Sequence, residues 1–108
     1  MANVFTSYVN ADVGTSAATI VTVGAGTQTT VIGLTVANIT ASPITADVYI
    51  TRSAADYYII KGGTVPVGGS LVVVGGDQKV VLIASDALKV VTSAATSADV
   101  VTSVLNIT

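Results

Sequence analysis

The acidic chemistry open to this chain rests on six aspartates: Asp12, Asp47, Asp56, Asp77, Asp86 and Asp99. Its cations are Arg52, Lys61, Lys79 and Lys89, and it has no His, Cys, Glu or Trp. Without His or Cys, the usual base-activated nucleophile and most transition-metal sites are excluded. A glycosidase needs two facing carboxylates, and Asp77 with Asp86 is the one pair that turns could bring together. Each aspartate sits in or beside a predicted turn or at a strand start, where Asp is expected for backbone reasons. None shows the dense spacing of a calcium loop. The inventory therefore predicts no catalytic residue, no metal site and no cofactor.

The elements that carry these residues read as strands. Residues 70 to 92 hold three short runs rich in Val, Leu and Ile, at 70 to 74, 78 to 84 and 87 to 92, separated by Gly75-Gly76-Asp77 and Ser85-Asp86. Apolar, β-branched runs of this length between turn signals predict three consecutive antiparallel strands, with positive φ at Gly75 or Gly76. Earlier segments alternate at period two. Ile32, Leu34 and Val36 are expected to face the core, and Gly33 signals a bulge or close approach. Val48 and Ile50 alternate with Asp47, Tyr49 and Thr51. Ser53-Ala54-Ala55-Asp56 reads as a loop, with Arg52 and Asp56 placed to pair across it. Tyr57 to Lys61 returns, and the glycine-rich stretch 62 to 69 reads as a crossing between sheets. Phe5, Ser7 and Val9 share one face of a first strand, or of an arm that orders on a partner. Gly24-Ala25-Gly26 is a turn; no third glycine follows at nucleotide-loop spacing.

These segments predict an all-β protein, an antiparallel β-sandwich of about eight strands, with jelly-roll connection as one arrangement. Residues 1 to 16 are the arm or first strand, and 17 to 108 a single sandwich domain. A chain of 108 residues buries roughly 65% of its unfolded surface, enough for one core.

Charge is sparse. Charged residues make up 9% of the chain, with net charge -2, against about 25% in ordinary soluble domains. This offers no electrostatic footprint for nucleic acid or an anionic membrane. No run of ~18 apolar residues suggests a spanning helix, and Met1 to Phe5 lacks the features of a signal peptide, which predicts synthesis without a secretory leader. The sequons at Asn38 and Asn106 then read as accidental. A surface this uncharged is expected to be covered by partners. Segments 71 to 74 and 80 to 84 are apolar on both faces, yet a two-layer sandwich buries one face of each strand. Val72, Val74, Val81 and Ile83, or their alternating neighbours, are the expected contact residues. Tyr57 and Tyr58 are further candidates, one expected inward and one outward, because Tyr is enriched at interfaces.

Four stretches carry a resemblance: Thr51-Arg52-Ser53-Ala54-Ala55-Asp56-Tyr57-Tyr58-Ile59-Ile60-Lys61, Val65-Pro66-Val67-Gly68-Gly69-Ser70-Leu71, Gly75-Gly76-Asp77-Gln78-Lys79-Val80-Val81-Leu82, and Ser85-Asp86-Ala87-Leu88-Lys89-Val90. Together the chain from about residue 18 to 108 resembles small virion structural proteins of tailed bacteriophages. The resemblance implies a non-catalytic capsid decoration (cement) protein located in the virion and made in the host cytoplasm, or a neck or tail component. It implies as partners further copies of the chain, a trimer being favoured on a capsid, and other virion proteins such as the major capsid protein. A host-receptor or carbohydrate-binding module is the other class. That class calls for exposed aromatics over a groove, which only the tyrosines supply.

Overall fold

The computed structural model describes residues 2–75 and 78–108. Nine strands appear among them: β1 (Asn3–Val13), β2 (Ala18–Thr22), β3 (Gln28–Asn38), β4 (Ile44–Arg52), β5 (Ala55–Val65), β6 (Ser70–Val74), β7 (Val80–Leu82), β8 (Ala87–Thr92) and β9 (Ala98–Ile107). They form two antiparallel sheets. The first, sheet A, runs β1-β9-β3-β6, with β7 also on β3; the second, sheet B, runs β2-β8-β4-β5. Counting β6 and β7 as one interrupted strand, the chain alternates between sheets except at the β4–β5 hairpin. This is jelly-roll order. Such connections join strands far apart in sequence, as β1 with β9 and β2 with β8 do.

The core lies between the sheets. Val31, Leu34, Val36, Val100 and Val104 come from sheet A, and Val48, Val65, Leu88 and Val90 from sheet B, all essentially fully buried. Burying each such side chain contributes roughly 1.5 to 3 kcal/mol.

Bulges decide which residues reach this core. The β3–β9 register shifts between Val31 and Gly33, at the glycine that signalled it. The shift places Val31 inside and leaves Ile32 half-buried, so the expected trio becomes Val31, Leu34 and Val36. A second shift, between Leu34 and Thr35, sets Val72 opposite Thr35 but Val74 opposite Leu34. Val74 is therefore a core residue, 1% exposed, and not the surface contact residue that simple alternation predicts.

The three runs of residues 70 to 92 are not a meander. β6 and β7 both pair antiparallel with β3, at Leu34–Ala37 and Thr29–Val31. They therefore run in the same direction along one edge, and β8 lies in the other sheet. The expected hairpin at Gly75-Gly76-Asp77 is excluded by that shared direction. Gly75 does not have positive φ, and Gly76 and Asp77 lie outside the described residues.

β5 extends through Gly62 and Gly63 to Val65, leaving only Pro66 to Gly69 as the crossing. Gly62 has φ +69° and donates its N–H to Asp47 Oδ1 at 2.6 Å. It sits where the β4–β5 register shifts, a bulge that glycine accommodates.

Two polar knots close the end of the sandwich near Val13. Thr92 Oγ1 and Ser97 Oγ lie 2.6 Å apart, and both reach the Val13 carbonyl. Gly14 passes so close that a Cβ would sit 3.0 Å from the Thr96 nitrogen. Asn38 donates to the carbonyls of Ser42 and Val65 and accepts from Thr40 N–H and Oγ1. Its amide is thus committed within the fold.

Two predictions follow from strain and from an orphaned hydroxyl. Ser53 and Ala54 form the two-residue β4–β5 loop, with φ of 53° and 64°. This is the conformation that favours Asn-Gly. Ala54→Gly should raise stability by about 1 kcal/mol, read from urea midpoints, because it removes the left-handed penalty. Thr102 is fully buried, and among the described residues its Oγ1 is the buried side-chain polar atom without a partner. Thr102→Val keeps the shape and removes that group, so it should stabilise by roughly 1 kcal/mol in the same assay.

Candidate interaction face

Four of the five described aspartates use their carboxylates to hold backbone or neighbouring side chains; Asp12 takes part through its backbone N–H. Asp99 accepts the Asp12 N–H, and Asp56 accepts the Thr51 hydroxyl at 2.8 Å. Asp47 holds Gly62 and lies 3.9 Å from Lys61 Nζ. Among the described residues, no three His, Cys, Asp or Glu side chains cluster as a metal site would require. The possible Asp77–Asp86 pair falls partly outside the described residues.

Asp86 is the buried carboxylate, 1% exposed. Arg52 grips it in a fork, Nε to Oδ1 at 2.8 Å and Nη2 to Oδ2 at 2.6 Å. The Ile83 N–H donates to it as well. Arg52 thus pairs with Asp86 and not with the nearby Asp56. The reason is geometric: the two-residue hairpin places Asp56 beside Thr51, while the β7–β8 corner brings Asp86 to the end of β4. A planar guanidinium and a carboxylate match bidentately. The pair ties the β4–β5 hairpin to the corner where the chain crosses between sheets.

The two outer faces differ in chemistry. Strands of sheet B carry Asp47, Arg52, Asp56, Lys61 and Lys89. On its outer side Tyr49 and Tyr58 rings lie 5.0 Å apart, and Lys61 Nζ stands 4.4 Å from the Tyr58 centroid. Those contacts bury Tyr49 to 8% exposure and leave Tyr58 about half exposed. Tyr57 is also exposed, beside Ile50 and Arg52. Tyr57 lies opposite Ile50 on the inner face and Tyr58 opposite Tyr49 on the outer face, so the two point to opposite faces as expected, but Tyr57 stays exposed because β5 is the sheet edge and the described core does not extend to it.

Strands of sheet A carry only Asp12 and Asp99, together at one end. Directly opposed residues share a face, so the ladders define rows across its outer side. One row is Val9, Val101, Thr35 and Val72. The next is Ser7, Ser103 and Gly33. The third is Phe5, Leu105, Thr30 and Val81. No member is charged. Phe5, Val9, Val72, Val81 and Val101 are each at least 50% exposed. Ser7 and Ser103 of the middle row line a shallow depression together with Phe5, Thr6, Ile32 and Val104.

Of the contact residues expected from sequence, Val72 and Val81 lie on this face. Ile83 is exposed beyond the end of β7, Val74 is in the core, and Tyr57 and Tyr58 belong to sheet B. Phe5, Val9 and Val101 complete the face and were not singled out as contact residues. Their alternation was visible, and in β9 the charge of Asp99, in the same alternate set as Val101, was the signal for the outward face.

No family model matches the chain, and no curated protein matches it.

Arg52 and its hydrogen bonds hold the Asp86 carboxyl below the usual range despite the opposing effect of burial. In the unfolded chain Asp86 takes up a proton near pH 3.9; in the folded chain it does so at lower pH. Its stabilisation is therefore present above about pH 4 and lost as pH falls through the lowered folded value. Asp86→Asn should cost on the order of 1 to 2 kcal/mol at neutral pH, at the low end because Arg52 is partly open to water. It should also flatten the acid limb of a plot of urea midpoint against pH.

Proposed function

We propose that this chain is a non-catalytic structural component of a bacteriophage virion, a decoration protein that docks on the capsid shell through the outer face of sheet A. The observation that carries the reading is the exposed apolar rows on that face, which hold no charged residue between Phe5 and Val9, Asp99 lying at the far end. An exposed apolar surface spread over five strands is a liability in free solution and an asset at an interface. Jelly-roll order, frequent in viral capsid proteins, supports the reading, as does the sequence resemblance; lectin domains use the same order. The engagement of the Asp47, Asp56, Asp86 and Asp99 carboxylates in structural contacts supports a non-catalytic role. Association with further copies of the chain is part of the reading.

The carbohydrate-binding alternative calls for a free aromatic platform, and Tyr58 is already engaged by Tyr49 and Lys61.

Purified protein should co-sediment with phage shells that lack it and raise their disruption temperature. Val81→Lys and Val101→Lys place a charge on the exposed face without entering the core. Each should lower shell affinity at least tenfold, the loss expected from stranding one charge in an apolar contact, while leaving circular dichroism and melting unchanged. Full binding by both variants would contradict docking by this face. Density at the neck or tail in particle reconstructions would move the protein there.

A further inference from the structure

The free edge of β1 has the features of a site built to pair. Ala2 and Thr108 exchange both backbone hydrogen bonds, Ala2 N to Thr108 O at 2.9 Å and the reverse at 3.0 Å. The β1–β9 register then continues without a shift from Asn3 to Asn10. Hydrogen bonding alternates along such a ladder. Even-numbered residues therefore direct N–H and C=O at β9, and Asn3, Phe5, Ser7 and Val9 direct theirs away from the sheet. Among the described residues, none of those outward groups has a backbone partner.

Sheet edges are normally blunted by charge, proline, bulges or short length. The other three edges here are blunted. β5 has Lys61 and the Gly62 bulge, β2 is short and bulged, and the β6–β7 edge is broken into short pieces. From Asn3 to Asn10, β1 has no charge, proline, glycine or bulge.

We propose that two copies of this chain pair β1 against β1 about a two-fold axis at Ser7, joining their A sheets into one. The register follows from three requirements. The outward-directed odd residues must meet one another, which keeps both outer faces on the same side. The unbroken stretch must overlap as far as possible, which leaves axes at Thr6 and at Ser7. Finally, Phe5 and Val9, the two most exposed large apolar side chains among the described residues at 76% and 72%, must be covered. With Ser7 opposite its copy, Phe5 of each chain faces Val9 of the other, an aromatic–β-branched cross-strand pair. The same register carries the surface rows across the junction. Gly33, Ser103 and Ser7 meet Ser7, Ser103 and Gly33 of the partner, so the row of small residues runs unbroken through both copies. Such a two-fold contact closes at two copies, where the sequence alone favoured three.

The inference goes beyond the docking reading and is tested without a shell. Light scattering on the full chain at tens of micromolar should give about twice the monomer mass. Ser7→Pro removes an N–H directed at the free edge and none directed at β9, and proline is tolerated on such an edge. It should give a monomer with unchanged circular dichroism. A monomeric or trimeric wild type, or a folded Ser7→Pro variant that still dimerises, overturns the pairing. Should Ser7→Pro not fold, Ser7→Cys decides the matter. A hydrogen-bonded pair has Cα atoms about 5.5 Å apart, within disulfide range. Mild oxidation should then link Ser7→Cys chains at least tenfold faster than Val67→Cys chains, in which the cysteine sits on an exposed turn. Equal rates overturn the proposal.

Discussion

A two-layer sandwich buries one face of each strand, and this chain has more apolar faces than that core can take. Half of its residues are hydrophobic, and 9% are charged. The surplus is not spread evenly. Sheet B takes the charged strand residues apart from Asp12 and Asp99, and its outer side is shielded by tyrosines and lysine stems. Sheet A takes the remaining apolar surface as a continuous outer face. Two layers of similar backbone thus present opposite chemistry to their surroundings.

The fold beneath that asymmetry is held by long-range ladders and a few buried polar contacts. The Arg52–Asp86 fork ties one crossing between sheets, and the Thr92, Ser97 and Val13 knot secures another. These groups would be costly to bury unpaired. Each joins segments distant in sequence that the jelly roll sets side by side.

Much of this was legible in the residues. Strand positions and the all-β class followed from alternation and turn chemistry, and Gly33 marked its bulge correctly. Bulges are also where legibility ended. A register shift of one residue exchanges the two faces of a strand. Valine runs look the same on both faces, so the burial of Val74 and the partial exposure of Ile32 left no trace in sequence. The same ambiguity hid the shared direction of β6 and β7: two runs split by glycines read as a hairpin unless the pairing strand, β3, is known. Arg52 was matched to its neighbour Asp56 because local pairing is all a sequence offers; its real partner is 34 residues away. The exposed set Phe5, Val9 and Val101 was visible as alternation but not as one face, because that face exists only once β1 and β9 are paired.

The role of this protein depends on which face of the sandwich its surroundings cover. Hydroxyl-radical footprinting of the protein, free and on assembled particles, reads this side chain by side chain. Phe5 and Leu105 should lose most of their labelling on the particle, while Tyr57 and Tyr58, on the other sheet, keep theirs. Protection of the tyrosine pair with Phe5 still fully labelled would contradict the account.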